Sequence, residues 1–220
     1  WGILLLATEM GEEDVKAFHR AVAPLVVLDA SFEQMDFDTV LINNTDSVSN
    51  AVGHLIKMGH REIGYLKSSM RIQNFRYREA GYRRAHEEAE IAVNPAFTVE
   101  LTPTMEGAYK DMARFLERNP QLPTAYFADN DIIALGAMKA LKEAGCRIPE
   151  DISIIGFDDL PFCEISSPPL STIRVFKQEM GQMAVKRLLD KIKSQSKIVS
   201  KIQIGTEYIE RESVKALPQI

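Results

Sequence analysis

Short apolar runs alternate with longer stretches of helical periodicity along most of this chain, which restricts it to folds that link parallel strands through crossover helices. The runs are ILLLA at 3–7, VVL at 26–28, VLIN at 40–43, IGYL at 63–66, FTVEL at 97–101, TAYFA at 124–128 and ISIIGF at 152–157. Most of them lack a strict polar–apolar alternation, so they are expected to be strands covered on both faces.

The intervening segments carry helix signals with matching punctuation. Val48, Val52, Leu55 and Ile56 share one face of a helix over 45–58, which Thr45 or Asp46 can cap and Gly59 can end. Met105, Tyr109, Met112 and Leu116 form a second stripe, closed by Asn119-Pro120. A third helix starts at Asn130 or Asp131, runs through Leu135, Met138 and Leu141, and stops at Gly145. A fourth, from Gln178 to about Lys193, places Met180, Ala184, Leu188 and Ile192 inward. The methionine-containing stripes are read as core. Lys191 to Lys201 reads as a solvated polar turn.

Composition matters chiefly for what it excludes. With 45% hydrophobic and 26% charged residues among 220, the chain is of ordinary globular make-up. Its formal net charge of -5 leaves no positive excess to neutralise a phosphate backbone, so these residues alone are not expected to bind DNA. The first apolar run is far too short for a membrane span. Cys146 and Cys163 fall in no metal or redox spacing, and a reducing compartment fits them best.

Catalytic signatures are missing. There is no Gly-rich phosphate loop, no G-x-S-x-G elbow, and no His-x-x-x-His or Cys-x-x-Cys pair, so no cofactor and no metal are expected. The four histidines, His19, His54, His60 and His86, are scattered and read as surface or helix-end residues. What remains is a set of polar residues at the carboxyl ends of the expected strands, where open α/β sheets place ligands. These are Asn43 and Asn44, Asp129 to Asp131, and Asp158 with Asp159. Each can also be a helix cap or a turn former. Adjacent residues on an extended segment point in opposite directions, so Asp158 is expected to face a ligand while Asp159 braces a loop, or the reverse.

Four ordered segments carry a family resemblance: GHREIGYL at 59–66, REAGY at 78–82, ADNDIIALGAMKALKEAGCRIPEDISIIGFDD at 128–159 and SPPLSTIR at 167–174, with TEYIERES at 206–213 as a fifth. Together they resemble the effector-binding domain of lactose-repressor-type transcriptional regulators. The resemblance implies an α/β, periplasmic-binding-protein-like fold: two Rossmann-like lobes with parallel sheets, joined by three crossovers, the first lobe incomplete. It assigns 1–58 and 176–194 to the amino-terminal lobe and 59–173 and 197–214 to the other, with a helix-turn-helix head lying outside this sequence.

The same resemblance supplies site residues. Arg78 matches a guanidinium that forks onto ligand hydroxyls or a carboxylate, and Asn130 and Asp158 match a ligand-binding amide and carboxylate. Asn74 and Asp46 match further polar contacts, and Phe75, which as a helix-start residue also reads as packing, is the ring that can stand in for the family's aromatic platform where this chain has Pro103. The chain departs from the family pattern at Pro103, Val175 and Asn43. The expected function is sensing of a small polar effector, a sugar for preference, in an interlobe cleft. Binding would shift a conformational equilibrium and thereby change the operator affinity of a cytoplasmic homodimer. A periplasmic sugar-binding protein of a transporter and, further off, an enzyme using the cleft are the competing readings.

Overall fold

In chain order the elements are β1 (Ile3–Leu6), α1 (Glu12–Ala21), β2 (Leu25–Leu28), β3 (Asp38–Ile42), α2 (Asn44–Lys57), β4 (Ile63–Ser68), α3 (Gln73–Glu88), β5 (Thr98–Leu101), α4 (Met105–Leu116), β6 (Ala125–Ala128), α5 (Asp131–Glu143), β7 (Ser153–Asp158), α6 (Phe162–Ile165), β8 (Ser171–Val175), α7 (Lys177–Ser194), β9 (Lys201–Ile204) and β10 (Thr206–Ile209). The structure, a computed structural model, describes residues 1–21, 24–32, 37–194 and 197–218. The solvated turn expected over 191–201 is corrected at its start, where 191–194 continue α7 and Lys191 binds buried Asp38; its residues 195–196 lie outside the described residues, as does the side chain of His19. Each of the seven apolar runs coincides with a strand, β1 to β7, and the fold is α/β as expected.

The chain divides into two compact units, Trp1–Asn43 with Ile72–Asn74 and Phe176–Thr206, and Asn44–Arg71 with Phe75–Val175 and Glu207–Ile220. The first unit is built on a four-stranded sheet of order β1-β2-β3-β9, paired in parallel throughout. Its core gathers Ala7, Val15, Leu25, Val27, Ala30 and Phe37, and α7 lies on the sheet with Met180 and Ala184 buried. β1 departs from the two-sided burial expected of the apolar runs: it sits at the sheet edge and leaves Leu4 and Leu6 exposed. At the start of β3 the fully buried carboxylate of Asp38 accepts hydrogen bonds from Arg187 Nε at 2.5 Å, from the Lys191 ammonium and from the Ser200 N–H at 2.9 Å. That cluster ties α7 and the approach to β9 onto β3.

The second unit carries a six-stranded sheet of order β10-β8-β7-β6-β4-β5, with parallel pairing from β8 through to β5. Here β4 lies between β5 and β6, so the winding reverses direction beside it. Tyr65 stacks between Tyr82 and Phe127 at centroid distances of 5.0 and 5.8 Å. α5 packs on α4 so closely that a Cβ at Gly136 would meet the Ala108 Cβ at 2.7 Å. α2 clusters with this unit, whereas the family resemblance assigned it to the first lobe. It packs on β8, and a Cβ at Gly81 of α3 would stand 2.4 Å from the Thr45 carbonyl oxygen. β9, grouped with the second lobe by sequence, instead extends the first sheet beside β3.

Two readings of side chains need correction. Met105 is 40% exposed rather than core: it is the first residue of α4, and its side chain projects back past the end of the packed face. His60 is buried rather than superficial, and His86, which does lie at a helix end in the last turn of α3, is buried as well. The His60 ring spans Thr124 Oγ1 at 2.9 Å and the Lys215 carbonyl at 3.0 Å, and His86 Nδ1 meets the Tyr82 carbonyl at 2.8 Å. Burial lowers the pKa of both rings. They are structural hydrogen-bonding groups.

Candidate ligand-binding site

The carboxyl ends of β4, β6 and β7 converge beside the point where the second sheet reverses its winding, which is the place where open α/β sheets leave a crevice. Ser68, Asp129 and Asp158 stand at those ends, and Arg78 projects toward them from α3. Arg78 is only 4% exposed. Its Nε donates to Asn44 Oδ1 at 2.9 Å, its Nη1 donates to the Asp129 carbonyl, and its Nη2 stands 3.6 Å from Asp158 Oδ1. The guanidinium carbon lies 3.6 Å from the Phe157 ring centroid and 5.5 Å from that of Phe75. These contacts fix the guanidinium plane with its Nη2 edge toward Asp158.

Asp129 supports this arrangement from beneath. Its fully buried carboxylate accepts the Ser68 N–H at 2.6 Å and the Tyr65 hydroxyl, while its carbonyl takes Arg78. Burial pushes its pKa up to about 6, against the pull of the Ser68 and Tyr65 hydrogen bonds and of Arg78. Asp158 and Asp159 both lie at positive φ, 108° and 50°. Such geometry costs a residue other than glycine about 1–3 kcal/mol, so surrounding contacts must hold it. The two carboxylates diverge: Asp158 faces Arg78, and Asp159 is gripped by Arg174 Nε at 2.7 Å and Arg211 Nη2 at 2.8 Å. Burial opposes the Asp159 charge, but the two guanidinium groups hold its carboxyl below the usual range.

The sequence-selected residues divide three ways. Arg78, Asp158 and Phe75 come together in the second unit. Asn130 follows Asp129 after the end of β6 but uses its side-chain oxygen as the N-cap of α5, accepting the Ile133 N–H at 2.9 Å; its amide nitrogen makes no hydrogen bond among the described residues. The remaining two make other contacts, although Asn74 lies one helical turn before Arg78 on the same buried face of α3. Asp46 is half-exposed and pairs with Arg84 Nη2 at 2.7 Å, because the tight packing of α2 on α3 sets its first turn against that arginine. Asn74 belongs to the first unit and donates to the Asp29 carbonyl at 3.3 Å. Sequence reasoning missed Tyr65, Ser68, Phe157, Arg174 and Arg211. The first three sit in or next to apolar runs that look like ordinary strand, and nothing local marks the two arginines as partners of Asp159.

No group of histidine, cysteine or acidic side chains that could hold a metal ion occurs among the described residues, and no described helix is long and apolar enough to cross a membrane.

The model of the periplasmic binding protein-like domain matches residues 52–214. The chain belongs to that family. Among curated relatives, the chain is 36% identical over 220 residues to the HTH-type transcriptional repressor PurR of Haemophilus influenzae, covering 98% of this chain and 65% of the repressor. It is 37% identical over 194 residues to the ribose operon repressor of the same organism, covering 88% of this chain and 58% of that protein. Among solved structures, a LacI family transcriptional regulator from Enterococcus faecium with bound ribose superposes with a TM-score of 0.85 at 27% identity, covering 98% of this chain and 80% of that one. The chain thus spans about two thirds or less of the length of these curated relatives. Membership in the periplasmic-binding-protein-like family agrees with both parallel sheets and with the resemblance to lactose-repressor-type regulators.

Proposed function

We propose that this chain is the ligand-sensing domain of a LacI-type transcriptional regulator, and that it binds a small hydroxyl-bearing effector, a sugar or related polyol, without carrying out chemistry on it. The observation that carries this reading is the Arg78–Asp158 pair at 3.6 Å, backed by Asn44, Asp129 and the Phe157 ring. A hydroxyl accepts from a guanidinium and donates to a carboxylate at once, so a vicinal diol satisfies both groups together. The named relatives are repressors, and the ribose held by the Enterococcus regulator is a ligand of this kind. The reading therefore favours a cytoplasmic regulator over a transporter's binding protein. In the longer protein, a coupling of about 1–3 kcal/mol between effector and operator DNA would change operator affinity many-fold.

The test is a thermal-shift screen against ribose, other pentoses and hexoses, purine bases and amino acids. A polyol at a hundred times its dissociation constant is expected to add about 2.7 kcal/mol and raise the melting temperature by about 5–10 °C. Stabilisation by an amino acid or a purine base alone, with every polyol inert, would refute the polyol assignment.

We also read the chain as a homodimer. On α6, Phe162 and Ile165 are 53% and 80% exposed, beside a groove lined by Leu135 and Met138 and by the charged Lys139, Lys142 and Glu143. Sedimentation at micromolar concentration is expected to show a dimer that Ile165→Asp weakens by about tenfold or more. A monomeric wild-type chain overturns this reading.

A further inference from the structure

Asp131 is fully buried in the first turn of α5, and its carboxylate draws donors from separate elements of the second unit. It accepts the Thr172 hydroxyl of β8 at 2.5 Å and the main-chain N–H of Leu160 at 2.8 Å. It also overlies β7 at Gly156, where a Cβ would come within 2.2 Å of its Oδ1, so only glycine allows this approach. The Leu160 N–H that Asp131 holds closes the strained turn whose preceding residues are Asp158 and Asp159. Asp159 anchors the far side of that turn through Arg174 and Arg211. Asp158 thus reaches Arg78 from a segment fixed at one end by Asp131 and in the middle by Asp159.

We propose that Asp131 is a positioning residue for the effector site, acting through the 158–160 turn to set the Asp158 carboxylate against Arg78. Its purpose rests on the effector reading above; its geometry does not. An ionised carboxylate suits a site where only donors converge, whereas an asparagine of the same shape turns an NH2 group against one of them. Burial pushes the Asp131 pKa up to about 6, with the charge of Asp158 a smaller cause in the same direction, against hydrogen bonds from Thr172 and Leu160 that favour the ionised form.

The experiment reads the Arg78 Nε–H resonance by NMR in the unliganded chain, in wild type, Asp131→Asn, Asp158→Asn and the double variant, with circular dichroism confirming the fold. Asp131→Asn is expected to move that resonance in the same direction as Asp158→Asn and to add nothing in the Asp158→Asn background, because both changes act through one carboxylate. If Asp131→Asn does not fold, Thr172→Val, which keeps the carboxylate but removes one donor, is expected to give the same displacement at smaller size. An unmoved Arg78 resonance in a folded variant, or a full additional displacement in the Asp158→Asn background, overturns the proposal. No ligand enters this measurement, so failure of every polyol to bind would remove the effector reading and leave this one standing.

Discussion

Arg78→Ala is expected to weaken effector binding by roughly a hundredfold or more, since each charge-assisted hydrogen bond lost to a ligand hydroxyl costs about 1.5–3 kcal/mol. The measurement is calorimetry with the polyol selected by thermal shift. Stability is expected to fall as well, because Asn44 Oδ1 and the Asp129 carbonyl each lose a charged donor and the Asp158 carboxylate loses a nearby positive charge. That loss is about 2–4 kcal/mol, so binding is to be measured well below the variant's melting temperature. Arg78→Lys separates charge from shape: a single ammonium cannot reach Asn44, Asp129 and a diol together, and recovery of only part of the affinity is expected. Affinity within threefold of wild type in Arg78→Ala would remove the guanidinium from the site.

The other large effect belongs to the first unit. Asp38→Ala leaves Arg187, Lys191 and the Ser200 N–H without their common acceptor and is expected to cost about 3–5 kcal/mol, the range found when one partner of a buried ionic cluster is removed. Burial acts against the Asp38 charge, but the hydrogen bonds from Lys191, Arg187 and Ser200 outweigh it and hold the carboxyl below its ordinary pKa. The folded pKa is therefore below the unfolded one. The cluster's contribution is present above about pH 4 and is lost as pH falls through the folded value, so the variant's deficit is expected at neutral pH and to shrink in acid. Urea unfolding followed at pH 7 and at pH 3 checks both statements. A deficit that is the same at the two values would show that Asp38 acts by packing and not by charge.

Local signals located much of the framework. The seven apolar runs fell on β1 to β7, and the four punctuated stripes fell on α2, α4, α5 and α7. α3 escaped the apolar-periodicity search for a physical reason. Its buried face repeats at helical spacing through Asn74, Arg78, Tyr82 and His86, so the period is present but is carried largely by polar residues. The polar face that hides this helix from a hydrophobicity pattern is the one that delivers Arg78 to the site. β8 and β9 escaped because a five-residue STIRV and a four-residue KIQI carry too little apolar content to stand out.

Of the six ligand residues chosen from sequence, the structure gathers Arg78, Asp158 and Phe75, makes Asn130 the cap of α5, pairs Asp46 with Arg84 and bonds Asn74 to the Asp29 carbonyl. The positions of β1 to β7, the Asn130 cap of α5 and the net negative charge follow from composition or from residues near one another in the chain, so the sequence by itself determined them. Thr45 and Asp46, expected to cap α2, instead lie inside a helix that starts at Asn44. Only the tertiary structure decided that Asn44, Arg78, Asp129 and Asp158 share one cluster and that α2 packs with the second unit. It also decided that Asp131 reaches Thr172 and Leu160. Those outcomes depend on which strands become neighbours and how much water the packing excludes, and neither quantity is carried by any short stretch of residues.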